Sequence, residues 1–171
     1  EFRRESVIPG AAPKRVVRRI MGIQVILADD HKIVRTGLRL LLQHEKGMAV
    51  VGEAADGASA VQLTGKKHPD IVLMDISMPG LNGIEATKRI TADYPDTKVI
   101  ALSIHSEKKF VEGMLSAGAA GYILKESVPE DLVRGIREVM NGAHYLSPSI
   151  TGLVLSGYRE ALSPEQSPHQ T

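Results

Sequence analysis

Four residues carry the side chains that phosphate chemistry needs, three carboxylates and one amine. Each lies at the end of a short apolar run. They are Asp29, Asp30, Asp75 and Lys125. Carboxylates placed close together raise one another's pKa unless a cation lies among them. Mg²⁺ suits such a set, because it prefers oxygen ligands and combines one or two carboxylates with water and phosphate oxygens. The residues therefore predict a metal-binding cluster, provided that the fold brings them together.

Within this cluster the residues divide into metal ligands and a nucleophile. We expect Asp29 and Asp30 to hold Mg²⁺, with Mn²⁺ as a second candidate. Asp75 is then free to accept a phosphoryl group as an acyl phosphate. Such a transfer needs in-line positioning and neutralisation of charge on the equatorial oxygens, which Mg²⁺ and the Lys125 ammonium would supply. Ser103 ends another apolar run and can hydrogen-bond a phosphate oxygen.

Apolar runs that alternate with amphipathic segments predict the fold that would position these residues. The predicted strands cover residues 22–28, 48–55, 71–74, 99–102 and 121–124. The first predicted helix follows Asp30. The next three cover residues 57–66, 82 or 83 to 93, and 106–117. The fifth begins near Pro129, and the sixth covers 147 or 148 to 159. This alternation is typical of an α/β doubly wound sheet, here five-stranded and parallel, with helices on both faces. The carboxyl ends of its strands would gather the polar residues at one edge, where ligands bind in such folds.

The order of these residues resembles the receiver domain of two-component response regulators, which has a flavodoxin-like fold. The resemblance covers about residues 21–141. Two further segments, ADDHKIVRTGL at 28–38 and AGAAGY at 117–122, are similar to the NarL/FixJ (LuxR-type) branch, in which a linker and a helix-turn-helix domain follow the receiver. The family resemblance itself rests on Asp29-Asp30, on DISMPGLNG at 75–83, on Leu102-Ser103 and on GYILK at 121–125.

The resemblance implies roles that agree with the chemistry above. Asp75 would be the phosphoacceptor for a sensor histidine kinase. Asp29 and Asp30 would bind Mg²⁺ together with Asp75 and the backbone carbonyl of Ser77. Lys125 would contact a phosphoryl oxygen. The domain would be a signalling phosphoacceptor that assists its own phosphotransfer and autodephosphorylation, and not an enzyme acting on other molecules.

The resemblance also implies a switch, and two histidines lie near it. Ser103 and Tyr122 would form the switch pair, with the hydroxyl moving onto the phosphoryl group and the aromatic ring turning inward. His105 lies near the mouth of the site and would modulate the access of water to the phosphoryl group; the alternative is a solvated loop residue. We expect His31 to point away from the acidic pair as the first residue of a helix; the alternative is that it perturbs metal binding.

The expected function is that of a cytoplasmic, phosphorylation-activated receiver of a transcriptional regulator. Phosphorylation would favour a homodimer, and DNA would be bound only through an effector domain that we expect this chain to lack. In the last receiver helix, Leu132, Ile136 and Val139 would serve the core. The candidate dimer contacts on the same helix are Arg134, Arg137 and Glu138.

Two other classes of protein compete with this interpretation. A haloacid-dehalogenase-like phosphatase also uses a strand-end aspartate with Mg²⁺, but it needs a second aspartate two residues after the nucleophile. Asp75 is followed by Ile76-Ser77, which disfavours that class. A non-phosphorylated pseudo-receiver that only binds proteins would keep the fold and lose part of the set. Every part is present here, so the pseudo-receiver is the weaker alternative.

Composition sets the remaining limits. The chain has 171 residues, 43% hydrophobic content, no cysteine and a net charge of +1, so disulfides are excluded and no strong charge favours nucleic acid. No apolar run approaches the roughly 20 residues of a membrane span. We expect residues 1–20 to be a vector-derived or upstream extension, with a basic arm at 14–19 as the alternative. Residues 21–142 would form the receiver, and 143–171 a linker with a short helix.

Overall fold

The computed structural model describes residues 22–163, which form one parallel sheet with helices on both faces. The strand order is β2-β1-β3-β4-β5-β6, and every neighbouring pair is parallel. The strands are β1 Ile23–Ala28, β2 Met48–Ala54, β3 Ile71–Met74, β4 Lys98–Ser103, β5 Gly121–Leu124 and β6 Tyr145–Leu146. The helices are α1 Lys32–Gln43, α2 Gly57–Lys67, α3 Gly83–Asp93, α4 Lys108–Ser116, α5 Val128–Met140 and α6 Pro148–Leu162, and a 3₁₀ turn covers Lys125–Ser127.

The central strands are continuous apolar runs because helices cover the sheet on both faces. All residues of β3 and β5 are buried. One core cluster lies between the sheet and α1 and α5, and it contains Leu132, Ile136 and Val139, as predicted. The other lies between the sheet and α2, α3 and α4. The predicted doubly wound α/β fold is therefore confirmed.

The predicted number of strands was one too low, because the sheet has a sixth strand at the β5 edge. This strand, β6, has only two residues, Tyr145 and Leu146, and pairs with Gly121 and Tyr122. Two residues are too few to show the alternation or the apolar run from which strands are predicted. This segment was predicted to belong to the linker, yet Tyr145 and Ile150 are buried in the two core clusters.

Three smaller findings complete the fold. Helix α4 begins at Lys108 instead of residue 106, because Glu107 is the extended residue that precedes it. Among residues 22–163, none of the helices has the length and apolar character that crossing a membrane requires. The predictions for residues 1–20, and the linker prediction for 164–171, lie outside the described residues.

Candidate metal and phosphoryl site

Strand register brings the three aspartates to one edge of the sheet. Ala28 at the end of β1 pairs with Met74 at the end of β3, and the Asp75 amide donates to the Ala28 carbonyl at 2.9 Å. Asp29 and Asp75 therefore leave neighbouring strands at the same level. The ligand atoms of the group lie within 4.8 Å of one another, a spacing that suits a single cation. The members of this group are Asp29, Asp30, His31 and Asp75.

Lys125 supplies a cation to the buried carboxylates. Ser103 pairs with Leu124 across β4 and β5, so Lys125 leaves the sheet at the same edge. Its Nζ lies 2.7 Å from Asp29 Oδ2 and 3.5 Å from Asp75 Oδ2. Asp29 and Asp75 are buried, with 2% and 5% exposure, and such buried carboxylates are stable only when they are paired. The geometry thus joins the three residues that the sequence analysis treated as ligand, nucleophile and charge neutraliser.

Burial is the largest influence on the pKa of the Asp75 carboxyl. It raises the pKa of this carboxyl above its ordinary value, and the charges of Asp29 and Asp30 raise it further. The Lys125 ammonium and the Ile76 amide, which donates to Asp75 Oδ1 at 2.9 Å, lower the pKa of Asp75 in part. The carboxylate form is thus held at a cost in free energy, which any additional cation at this edge would reduce.

A glycine allows α3 to begin against the Asp75 backbone. A Cβ built on Gly83 would lie 1.9 Å from the Asp75 carbonyl oxygen, closer than any real contact. The Gly83 amide donates to the Ile76 carbonyl at 2.8 Å, which fixes the loop after Asp75. Asn82 caps the helix by accepting from the Glu85 amide at 3.0 Å. The loop between β3 and α3 is therefore closed tightly beneath Asp75.

His31 lies against the acidic pair, so the prediction that it points away was wrong. Its Nδ1 lies 3.2 Å from Asp29 Oδ1 and 3.0 Å from Asp30 Oδ1. The reason is local: His31 is the extended N-cap residue of α1, and its amide donates to Asp29 Oδ1 at 2.8 Å. This turn directs the ring back over the carboxylates.

Sequence reasoning missed Arg35, which holds the same loop from α1. Its guanidinium Nη1 donates to the Asp29 carbonyl at 2.6 Å, and its Nε lies 4.0 Å from Glu53 Oε1 on β2. In the sequence, Arg35 is one of the polar residues between the apolar positions of the helix after Asp30. Its spacing of four residues from His31 was the available signal, since that spacing puts both residues on one face.

Both members of the predicted switch pair bond to His105. Ser103 is fully buried, and its Oγ accepts from the His105 amide at 3.0 Å. Tyr122 is buried as well, and its hydroxyl donates to the His105 carbonyl at 2.6 Å. Burial raises the pKa of the Tyr122 phenol above its ordinary value, so the hydroxyl stays a donor. The Tyr122 ring therefore occupies an inward position in this structure.

The His105 ring connects the two loops at the mouth of the site. Its Nε2 lies 3.1 Å from Ser77 Oγ, and its Nδ1 lies 3.5 Å from Glu107 Oε2. The ring stacks on Phe110 with centroids 4.3 Å apart. With 23% of its side chain exposed, His105 is not a freely solvated loop residue. Its modulating role, and the metal role of the Ser77 carbonyl, stay predictions.

The comparisons with known proteins identify the family. Residues 25–137 match the response regulator receiver domain, so the chain belongs to that family. It is 39% identical over 144 residues to the transcriptional regulatory protein DegU of Brevibacillus brevis, covering 84% of this chain and 61% of that relative. It is 44% identical over 128 residues to the response regulator UvrY of Escherichia coli K12, covering 75% and 59%.

A solved structure agrees with these relatives. A LuxR-family two-component response regulator from Aurantimonas sp. SI85-9A1 superposes with a TM-score of 0.77 at 37% identity, covering 81% of this chain and 99% of that one. The predicted receiver family and its LuxR-type branch are thereby confirmed. The chain spans about three fifths of the curated relatives that it matches.

Proposed function

We propose that this receiver is activated by phosphorylation on Asp75, with Mg²⁺ bound by Asp29, Asp30 and Asp75. The observation that supports it most strongly is the position of Lys125 Nζ, which contacts Asp29 and Asp75 beside a third carboxylate. The donor set fits the metal, because oxygen ligands and unbalanced negative charge favour a small hard cation. When bound, Mg²⁺ would neutralise charge on the phosphoryl oxygens. Mn²⁺ suits the same oxygens, and the Ser77 carbonyl is the proposed further ligand.

The reaction is an in-line transfer in which Asp75 is the nucleophile. A carboxylate oxygen of Asp75 forms the bond to phosphorus as the bond from phosphorus to the imidazole nitrogen of a sensor histidine kinase breaks. Lys125 is placed to turn from the Asp75 oxygen to a phosphoryl oxygen, which needs only a small shift from its 3.5 Å contact. Burial of Asp75 excludes water and strengthens this charge pairing.

The proposed switch passes through Ser103, Tyr122 and His105. The Ser103 hydroxyl would move toward the phosphoryl group, and the inward Tyr122 ring would fill the space behind it. Tyr122 already has the buried position that this switch assigns to the phosphorylated form. On this view the receiver populates the active arrangement before phosphorylation, and phosphorylation increases the population of that arrangement. We assign autodephosphorylation to the same site, with His105 controlling the access of water.

The proposed output is a protein surface. Phosphorylation would shift a monomer–dimer equilibrium through α1 and α5, where Arg134, Arg137 and Glu138 are the candidate contacts. Arg134 and Glu138 pair at 3.0 Å, and Arg137 pairs with Glu45 at 3.3 Å. In a dimer, ion pairs across the interface would replace these exposed pairs within one chain. We propose that the protein works in the cytoplasm as part of a transcriptional regulator, and that these 171 residues do not bind a specific DNA sequence alone.

Intact-mass analysis after incubation with acetyl phosphate and Mg²⁺ tests the proposal. We expect one phosphoryl adduct on the wild-type chain and on the matched control Asp93→Asn, which changes an exposed aspartate of α3. Asp75→Asn should acquire none, and EDTA should prevent the reaction. Equal modification of Asp75→Asn, or indifference to EDTA, would reject the assignment. Absence of any adduct on the wild type would favour the pseudo-receiver alternative.

A further inference from the structure

The segment after α5 is hydrogen-bonded to the strand that carries Tyr122 and precedes Lys125. Strand β6 lies beside β5, and the Tyr145 amide donates to the Ala120 carbonyl at 3.1 Å. The Ser147 amide donates to the Tyr122 carbonyl at 3.0 Å. The backbone ladder between these strands therefore ends at a residue of the proposed switch.

The Ser147 side chain continues this ladder by one more bond. Beyond Tyr122, the Leu124 amide is buried, and it donates to Ser147 Oγ at 3.2 Å. A buried N–H without an acceptor is costly, so the hydroxyl oxygen takes the place of the carbonyl that a longer β6 would offer. Ser147 is fully buried, which keeps water from substituting for it. Leu124 immediately precedes Lys125, and so Ser147 fixes the backbone from which the Lys125 side chain starts.

Asp131 in the first turn of α5 orients the Ser147 hydroxyl. Ser147 Oγ donates to Asp131 Oδ2 at 3.1 Å, and the Tyr145 hydroxyl donates to Asp131 Oδ1 at 2.8 Å. A serine hydroxyl has one hydrogen and two acceptor lone pairs. Because the carboxylate takes the hydrogen, a lone pair is left for the Leu124 amide. Asp131 thus determines which way Ser147 faces.

We propose that Ser147 and Asp131 are positioning residues that hold Lys125 against Asp29 and Asp75. Neither residue touches the reacting atoms; both act through the Leu124 backbone. Residues 145–150 then support the phosphorylation site, although they follow the segment 25–137 that the family model matches. This inference rests on the proposed phosphorylation of Asp75.

The test measures the rate of Asp75 phosphorylation by acetyl phosphate at saturating Mg²⁺, using the whole 171-residue chain. Ser147→Ala should lower this rate by between about twofold and tenfold, the usual range for one hydrogen bond. Asp131→Asn should lower it less, because the amide oxygen can still accept from Ser147. Mg²⁺ affinity, measured by calorimetry, should stay at the wild-type value in both variants, since neither variant alters a proposed metal carboxylate.

A double-mutant cycle separates positioning from a general loss of structure. In a Lys125→Met background, Ser147→Ala should cause no further loss, because the group that Ser147 positions is already gone. The matched control is Glu160→Gln, which removes the 3.4 Å pair between Glu160 of α6 and Lys108 of α4 and leaves β5 untouched. Its phosphorylation rate should equal that of the wild type.

Two outcomes would overturn the inference while leaving the proposed function intact. One is a wild-type rate in Ser147→Ala and Asp131→Asn; the other is an equal loss from Ser147→Ala in the wild-type and Lys125→Met backgrounds. If Ser147→Ala does not fold, Asp131→Ala, which removes the acceptor for the Ser147 hydroxyl, carries the same comparison. A wild-type chain that binds no Mg²⁺ and forms no adduct would reject the proposed function itself.

Discussion

The site has a buried half, formed by Asp29, Asp75 and Lys125, and an exposed rim, formed by Asp30 and His31. The two parts are held in different ways. Asp29 and Asp75, with Lys125 between them, lie at strand ends and have at least two described polar contacts each. On the rim, the described polar contact of the exposed Asp30 side chain is with His31, which is itself 65% exposed. The difference indicates that the fold fixes the groups proposed to react, whereas the rim residues are held by fewer described contacts.

Replacing Lys125 with alanine tests the buried half most severely. The variant loses the cation that faces the phosphoryl oxygens, so the phosphorylation rate should fall by about 100-fold. Mg²⁺ affinity should survive, because the metal carboxylates remain and a competing positive charge is removed. Mass analysis over time and calorimetry measure the two quantities. If the variant lost Mg²⁺ binding and was still phosphorylated normally, the roles assigned to Lys125 and to the metal carboxylates would be wrong.

Replacing His105 with alanine tests the mouth of the site, outside the buried half. The variant removes the ring that contacts Ser77 and stacks on Phe110, and so should open the mouth of the site to water. We expect the acyl phosphate of Asp75 to decay severalfold faster, with little change in the rate of its formation. Decay followed after removal of the phosphodonor measures this, with Asp93→Asn as the control. An unchanged lifetime would show that His105 does not control hydrolysis.

The raised pKa of Asp75 predicts a smaller effect, on stability. Since the folded chain binds this proton more tightly than the unfolded chain, ionised Asp75 destabilises the fold as pH rises from its unfolded pKa through the raised folded pKa. Without metal, Asp75→Asn should therefore have a higher Tm than the wild type at pH 7. The difference should shrink as pH falls through that window. A lower Tm for Asp75→Asn at pH 7 would contradict the claim that ionised, buried Asp75 destabilises the fold.

Self-association should show the smallest and most condition-dependent effect. Beryllofluoride with Mg²⁺ should shift sedimentation-velocity distributions toward a dimer over a concentration series, because a mimic bound at the buried half favours the switched surface. Asp75→Asn is the control and should not respond. Identical distributions with and without the mimic would reject phosphorylation-linked dimerisation.

Sequence reasoning succeeded where the signal was local. A buried parallel strand is an apolar run, so its end and the residue after it can be located directly, and this is how Asp29, Asp75 and Lys125 were found. The same reasoning found the apolar stripe of α5. Each of these features depends on residues within one or two turns or a single strand.

The contacts that were missed depend on how distant elements pack. Asp131 and Ser147 lie 16 residues apart and meet only because β6 returns beside β5. Arg35 reads as a solvated helix residue until the end of β1 is placed against α1. His31 was misassigned because the N-cap geometry, not the helix periodicity, sets its direction.

Gly83 has a consequence for interpreting natural variation in this chain. It offers no functional group to the site, yet any side chain there would meet the carbonyl oxygen of Asp75. Gly83→Ala would consequently displace the backbone that carries Asp75 while every acidic residue of the site and Lys125 remained in the sequence. Scoring variants only by the presence of those residues would overlook this displacement.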